Sequence, residues 1–238
     1  MRTQYTLSLR CKLVNVISKE PARRLDPDKV VDSALAIADE EGPAAVTLRR
    51  LAGQHEVTPM ALYRHFKDKD DLLAALGDRL LTDVVLPEPT DEPWDRQLHE
   101  VLTAFVTALR GHPRLADLTL TRILVAEPGL VMAERTMELL TEGGFSVDDA
   151  AEVGRQAICS LITLVTNDPI AREASDPVTR EDSLRRKRAS LASLPPRKYP
   201  LVTAAADTLV CPTSTDRYYT LGIDLVVAGI CGVLEEEK

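Results

Sequence analysis

The amino-acid sequence predicts an all-α protein built from two helical domains. Apolar residues recur three and four positions apart along most of the chain, which is the spacing of amphipathic helices. The alternation of apolar and polar residues that is typical of strands is not convincing anywhere. Pro87, Pro89 and Pro93 interrupt the helical pattern and predict a boundary between a small N-terminal domain, 26–86, and a larger C-terminal domain, 94–238.

The first 25 residues differ in composition from the rest of the chain. They carry six basic residues and one acidic residue, Glu20. We expect a flexible N-terminal extension over 1–25, because chain termini are often unstructured. The alternative is a basic arm that enters the minor groove of DNA beside a main contact.

Capping residues predict four helices in the N-terminal domain. An Asp or Thr at the N-cap and a proline at the first helical position favour a helix start, while glycine followed by proline favours an end. The second and third helices are short and joined by a tight turn, so they are predicted to form a helix-turn-helix. The predicted starts are Asp26-Pro27, Thr47, Thr58-Pro59 and Lys69, and the first helix is predicted to end at Gly42-Pro43.

The predicted helix-turn-helix has an apolar inner face and a polar outer face. Two short helices that meet at a steep angle can place the second in a groove about one helix wide. Thr47–Lys69 carries five basic and two acidic residues, although the whole chain has a net charge of −8. Attraction to phosphate would depend on this local patch, but the basic residues could also simply solvate an ordinary helix pair. The inner face consists of Leu51, Ala52, Val57, Leu62 and Phe66, and the outer face of Thr58, Pro59, Met60, Ala61, Tyr63, Arg64 and His65.

Five further helices are predicted in the C-terminal domain. The polar stretch from Asp168 to Pro200 contains the basic run Arg185–Arg188, which we interpret as part of a solvated loop. The predicted helices are Trp94–Arg110, Pro113–Val125, Gly129–Gly143, Val147–Val165 capped by Ser146, and Thr215–Leu234.

The composition argues against a zinc protein, a disulfide-stabilised protein and a membrane protein. The four cysteines are scattered without a Cys-x-x-Cys pair, which argues against a zinc site and against a disulfide framework. No run approaches the roughly 20 apolar residues of a membrane span, and polar residues interrupt any signal-peptide core. We therefore expect a soluble cytoplasmic protein without a metal, a cofactor or a membrane contact.

Residues Leu25 to about Leu81 resemble the DNA-binding domain of the TetR family of transcriptional regulators, and especially its tetracycline repressor branch. Residues 62–69 follow the phrase Leu-Tyr-x-His-Phe-Lys-x-Lys, which is close to diagnostic of the family. The resemblance implies that Thr47, Tyr63 and Lys69 bind phosphates, while Arg49 and the Thr58–Ala61 end of the third helix contact bases. Positions 59–61 differ from the tetracycline repressor, which implies a different operator. The predicted DNA contacts are Thr47, Leu48, Arg49, Thr58, Pro59, Met60, Ala61, Tyr63, Arg64, His65 and Lys69.

The C-terminal domain resembles the same branch more weakly, through Trp94, Phe105, His112 and the closing helix. The resemblance implies a ligand pocket and a homodimer formed as a four-helix bundle by helices 147–165 and 215–234. Small residues in these two helices would permit close approach, either across the dimer or within one subunit. They are Ala150, Ala151, Gly154, Ala157, Ser160, Gly222, Ala228, Gly229 and Gly232.

The implied pocket differs from that of the tetracycline repressor at one position. Thr119 stands where the resemblance places that repressor's magnesium-binding histidine, so we expect no recognition of a tetracycline–magnesium chelate. Arg122 could anchor an acidic or carbonyl-bearing ligand, or it could pair with Glu127. The other candidate lining residues could equally be plain core. The candidates are Val85, Val101, Phe105, Leu109, Leu118, Thr119, Arg122, Met132, Met137 and Thr163.

The residues and the resemblance together predict a homodimeric repressor that binds palindromic, double-stranded operator DNA and is released by a small-molecule effector. A ligand-independent DNA-binding activator is one alternative. A helical enzyme is another, but the four histidines come without a nucleophile motif, a phosphate loop or a metal-spaced cluster.

Overall fold

Helices form most of the part of the chain that the computed structural model describes, residues 25–169 and 177–236. Neither of those ranges contains a β-strand, and the all-α prediction is confirmed. Of the predicted extension 1–25, only Leu25 is described, so that prediction lies outside the described residues.

The N-terminal domain consists of α1 (Pro27–Glu41), α2 (Leu48–Gln54), α3 (Pro59–Leu62) and α4 (Lys69–Thr82). Asp26 caps α1 by accepting a hydrogen bond from the backbone N–H of Asp28 at 3.2 Å. Gly42 ends the helix with a φ of 88°, a conformation that is open to glycine and strained for other residues. All four helices contribute fully buried side chains to one core, among them Val30, Ala34, Leu51, Leu62, Leu72 and Leu76.

The C-terminal domain follows a non-helical linker over 83–93 and contains the remaining helices. These are α5 (Trp94–Leu109), α6 (Glu127–Gly143), α7 (Val147–Thr166), α8 (Pro177–Ala192), α9 (Pro200–Ala204), α10 (Ala206–Val210) and α11 (Thr215–Glu236). The central helix is α5, which packs against α6, α7 and α11. Gly143 lets Trp94 lie directly on the end of α6, because a Cβ at that position would come within 2.6 Å of the indole ring.

The prediction of an α-helix over Pro113–Val125 is wrong. The 112–125 segment contains a 3₁₀ helix at Ala116–Thr121 with turns on either side. Most of its backbone hydrogen bonds join residues three apart, such as Leu118 N–H to Leu115 O and Arg122 N–H to Thr119 O. This tighter winding is typical of short connectors that tertiary packing holds in place.

The interpretation of Arg185–Arg188 as part of a loop is also wrong, because these residues lie inside α8. Arg185 pairs with Glu181 and Asp182 one turn earlier, at 3.4 and 3.3 Å. Such pairs at helical spacing stabilise an exposed helix modestly. The short helices α9 and α10, which were not predicted, pack against α8.

One stretch of the described residues, Thr215–Glu235 in α11, is long and apolar enough to cross a membrane by length and composition alone. This differs from the expectation that no such run exists. Only 28% of its most apolar window is buried within the subunit. An exposed apolar face of this kind is also what a helix shows when a second protein surface covers it.

Candidate nucleic-acid interface and ligand cavity

The helix-turn-helix begins at the predicted cap. The Thr47 hydroxyl accepts a hydrogen bond from Arg50 N–H at 3.2 Å, which starts α2. Thr58 stands at the N-cap of α3 with extended backbone, but its side chain makes no capping bond. The predicted inner face is packed, since Leu51, Ala52, Leu62 and Phe66 are buried and Val57 is half-buried.

The turn between α2 and α3 carries local strain at Glu56. This residue has a φ of 55° and is the one non-glycine residue in the left-handed region within residues 25–169 and 177–236. The conformation reverses the chain so that Val57 N–H reaches Ala52 O at 3.0 Å. A left-handed residue other than glycine costs about 1–2 kcal/mol, so tertiary packing must hold the turn in place.

Side chains of neighbouring elements fix the helix-turn-helix in position. Arg50 donates two hydrogen bonds to the carboxylate of Glu41 on α1, at 2.8 and 2.6 Å, and these bonds lower the pKa of Glu41. His55 lies 3.0 Å from the Ser33 hydroxyl of α1. Lys69 Nζ donates to the Ala44 carbonyl before α2, at 3.1 Å.

Most of the residues predicted to contact DNA are exposed. Exposed side chains belong to Thr47, Arg49, Thr58, Pro59, Met60, Tyr63, Arg64 and His65. Ala61 and Lys69 are half-buried, whereas Leu48 is only 7% exposed because it packs into the core below α2. Leu48 is therefore not available as a contact in this structure. Since α3 ends at Leu62, Tyr63, Arg64 and His65 lie in the turn that follows it.

A cavity of about 600 Å³ opens between α6, α7 and the 112–125 segment. A volume of this size suits a drug-sized molecule. Its wall is mostly apolar, with the polar side chains of Thr136, Glu152 and Arg155 among the apolar ones. The apolar and sulfur-bearing lining residues are Leu120, Ile123, Leu124, Met132, Ala133, Met137, Ala150, Ala151, Gly154, Ile158 and Cys159.

Of the predicted ligand-binding residues, Met132 and Met137 lie in the cavity wall and the others do not. Val101, Phe105 and Leu109 are fully buried in the packing of α5, and Leu118 is half-buried beside α4. Thr119 is buried and donates to the Ala116 carbonyl at 2.6 Å. Val85 is 82% exposed on the linker, and Thr163 is exposed on α7.

Arg122 links the cavity wall to the N-terminal domain. Its Nε and Nη2 atoms donate to the two carboxylate oxygens of Asp78 on α4, at 2.6 and 2.9 Å. These bonds raise the pKa of Arg122. Of the two roles considered for Arg122, a ligand anchor or a pair with Glu127, the structure shows neither, and the side chain instead forms an interdomain pair with Asp78. Gly77 lets the backbone of α4 lie close to that of the 112–125 segment beside this ion pair, because a Cβ at Gly77 would lie 2.9 Å from the Leu118 carbonyl oxygen.

The glycines of α7 and α11 fall into two groups. Gly222 packs within the subunit, since a Cβ there would lie 2.4 Å from the Leu164 side chain. Gly154 is buried against α6. Gly229 and Gly232 face open space, and they lie on one stripe of α11 with exposed Leu221, Leu225 and Val233. A groove of about 510 Å³ separates this stripe from α7.

Two family models match the chain. The one described as bacterial regulatory proteins, tetR family, covers residues 30–76, and the one described as tetracyclin repressor-like, C-terminal domain, covers residues 86–234. The chain belongs to the TetR family of transcriptional regulators. Proteins of this family bind DNA and a small-molecule ligand, and they are regulators rather than enzymes.

Solved TetR-family structures share both the fold and part of the sequence. ActR of Streptomyces coelicolor in complex with actinorhodin is 31% identical, with a TM-score of 0.71 over 88% of this chain and 98% of that chain. Apo ActR is 30% identical, with a TM-score of 0.72 over 90% and 99% of the two chains.

Curated relatives agree with this assignment. The tetracycline repressor protein class C of Escherichia coli is 26% identical over 210 residues, which is 87% of this chain and 91% of the relative. A transcriptional regulator of helix-turn-helix type from Saccharopolyspora erythraea is 27% identical over 171 residues, or 72% of each chain. The resemblance to the TetR family and its tetracycline repressor branch is therefore confirmed.

Proposed function

We propose that this protein is a cytoplasmic, homodimeric TetR-family repressor whose operator complex is released by a small molecule. The N-terminal domain, 26–86, binds DNA and the C-terminal domain, 94–238, binds the effector and the second subunit. One observation carries the proposal: the 112–125 segment lines the cavity with Leu120, Ile123 and Leu124 and is tied to α4 by Arg122. A ligand that displaces this wall would move α4, and α4 belongs to the DNA-binding domain.

The exposed surface of the helix-turn-helix supports the DNA contact. Arg49 and Arg64 are exposed, and Met60 and Tyr63 are 68% and 52% exposed. An apolar side chain such as Met60 can contact a thymine methyl group, and the Tyr63 hydroxyl can contact a phosphate. We assign phosphate contacts to Thr47, Tyr63 and Lys69, and base contacts to Arg49 and residues 58–61.

The apolar stripe on α11 supports the homodimer. Leu221, Leu225 and Val233 recur at the spacing of one helix face, and the glycines between them leave room for a second helix. Two copies of α7 and α11 would form a four-helix bundle. A two-fold dimer of this kind presents two recognition helices to a palindromic site.

The wall of the cavity indicates the chemistry of the effector. A mostly apolar wall selects a molecule with a large apolar body, while Glu152, Arg155 and Thr136 offer a few polar contacts. In the described residues, no group of three or more His, Cys, Asp or Glu side chains could hold a metal ion. Thr119 stands where the resemblance places the magnesium-binding histidine of the tetracycline repressor, so the effector is proposed to bind without a metal chelate. Actinorhodin, present in the ActR complex, is the first compound to test.

The DNA contact is tested with duplexes selected by the full-length protein from a randomised pool. Arg49→Ala is expected to weaken binding by about 1–3 kcal/mol, as loss of a base or phosphate contact does. Arg185→Ala is the matched control, because it removes the same charge from α8. Enrichment of no sequence, or equal affinity of Arg49→Ala plus Tyr63→Ala and the wild type, would contradict the proposal.

Release is tested with actinorhodin and, separately, with tetracycline plus Mg²⁺. Actinorhodin at about 100 times its Kd would add roughly 2.7 kcal/mol of stability, and it should weaken binding to the selected DNA. Filling the cavity with Ala133→Phe should abolish both effects. A melting shift with tetracycline and Mg²⁺ but none with actinorhodin would contradict the proposed ligand chemistry.

A further inference from the structure

The last turn of α1 carries three consecutive acidic residues, Asp39, Glu40 and Glu41, and no basic residue. The C-terminal end of a helix has a partial negative charge, so carboxylates there are locally unfavourable. Sequences usually agree with their local structure, and a local conflict indicates that tertiary contacts or function compensate for it.

At two of the three acidic residues, Asp39 and Glu40, a side chain of the C-terminal domain contacts the end of α1. His112 Nδ1 lies 2.7 Å from Asp39 Oδ2, and Arg114 Nη1 donates to the Glu40 carbonyl at 3.0 Å. The third, Glu41, pairs with Arg50 inside the N-terminal domain. The other carboxylate oxygen of Asp39 is buried without a hydrogen-bond partner, so His112 is the hydrogen-bond partner of this carboxylate in the described residues.

The 112–125 segment therefore holds the N-terminal domain at two helices. Residues 112 and 114 contact the end of α1, and Arg122 contacts Asp78 on α4. Helix α4 is already held along its length, because it packs against the 112–125 segment, α5 and α6. The contact at the end of α1 adds a second helix to this attachment and so restricts rotation of the domain about α4.

We propose that Asp39, His112 and Arg114 are positioning residues that fix the orientation of the DNA-binding domain and thereby set the half-site spacing that the dimer accepts. This inference rests on the proposed DNA-binding homodimer. Each inserted base pair moves one half-site by about 3.4 Å and rotates it by roughly 35°. A dimer with fixed DNA-binding domains cannot follow that change, whereas a dimer with loosened ones can follow it in part.

The test uses the full-length protein and a duplex that the wild type selects from a randomised pool, with one or two base pairs then inserted at its centre. The wild type is expected to lose about 100-fold in affinity on insertion, since several base contacts of one half-site are displaced. Asp39→Ala and His112→Ala should each reduce that penalty by about 2- to 30-fold, the usual range for positions that modulate coupling.

His99→Ala is the matched control. His99 lies 2.9 Å from Asp224, so it forms a similar His–Asp pair, but both residues belong to the C-terminal domain. This variant should keep the wild-type spacing penalty, and light scattering confirms that each variant is still a dimer. The inference is overturned if Asp39→Ala and His112→Ala keep the wild-type penalty. Failure to select any DNA would instead contradict the proposed function.

Discussion

Gly129 offers a direct test of how tightly the cavity wall is packed against α6. It is the third residue of that helix and is buried. A Cβ at this position would lie 2.4 Å from Ile123 O and 2.6 Å from Ile123 Cα. Ordinary van der Waals contact begins at 3.4 Å, so the Cβ would be about 1 Å too close. Both atoms are backbone, and no side-chain rotation can relieve the overlap.

The expected cost of Gly129→Ala follows from these distances. Overpacking a core costs typically 1–3 kcal/mol, and the overlap with fixed backbone places this case near the upper end. Alanine is more favourable than glycine inside a helix by roughly 0.5–1 kcal/mol, which offsets part of this cost. The net destabilisation is therefore about 2 kcal/mol, which lowers Tm by roughly 4–8 °C in a chain of this size.

Gly53→Ala is the matched control, because Gly53 is also helical but has nothing within 4 Å of an added Cβ. It should raise stability by up to about 1 kcal/mol. Both variants are compared with the wild type by thermal unfolding followed by circular dichroism, at one protein concentration. Equal melting temperatures for the two variants, or a Gly129→Ala protein more stable than the wild type, would refute the packing described here.

Three further substitutions probe separate features. Leu225→Glu should convert the proposed dimer into a 26.1 kDa monomer, as measured by light scattering. Leu201→Glu on α9 should leave the dimer intact, although Leu201 is even more exposed than Leu225. A Leu225→Glu protein that is still dimeric would exclude this stripe as the interface. Tyr219→Phe removes the 2.7 Å hydrogen bond that the Tyr219 hydroxyl donates to buried Asp168. Burial and this bond raise the pKa of Tyr219. We expect the substitution to lower the free energy of unfolding in urea by about 1.5–3 kcal/mol, the range for hydrogen bonds to charged groups. Glu56→Gly should raise that free energy by about 0.5–1 kcal/mol, since glycine accepts the left-handed turn, and a loss of stability would contradict the strain at this residue.

The helix starts were predictable because local chemistry decides them. Asp26, Thr47 and Ser146 each accept the capping hydrogen bond that their sequence position indicates. Apolar periodicity likewise predicted the buried face of the helix-turn-helix. The pattern failed where tertiary contacts override local preference, as in the 112–125 segment, whose 3₁₀ turns lie against α4 and α7.

The cavity could not be predicted from the sequence. Phe105 and Met137 have the same periodic, apolar signature, yet the first is fully buried in α5 and the second lines the cavity. Whether an apolar side chain faces a neighbour or an empty volume depends on which helices meet. The same limit applies to Leu48, which was among the predicted DNA contacts and which packs inward.

By itself, the sequence determined the helical class, the helix-turn-helix and the family, because caps, periodicity and the 62–69 phrase are properties of short stretches of chain. The tertiary structure alone decided the partners of Arg122 and His112, the wall of the cavity and which glycines lie inside the subunit. These features join residues far apart in the chain, such as Asp78 with Arg122 and Asp39 with His112. Contacts of that kind arise only when folded elements pack together, so no local pattern records them.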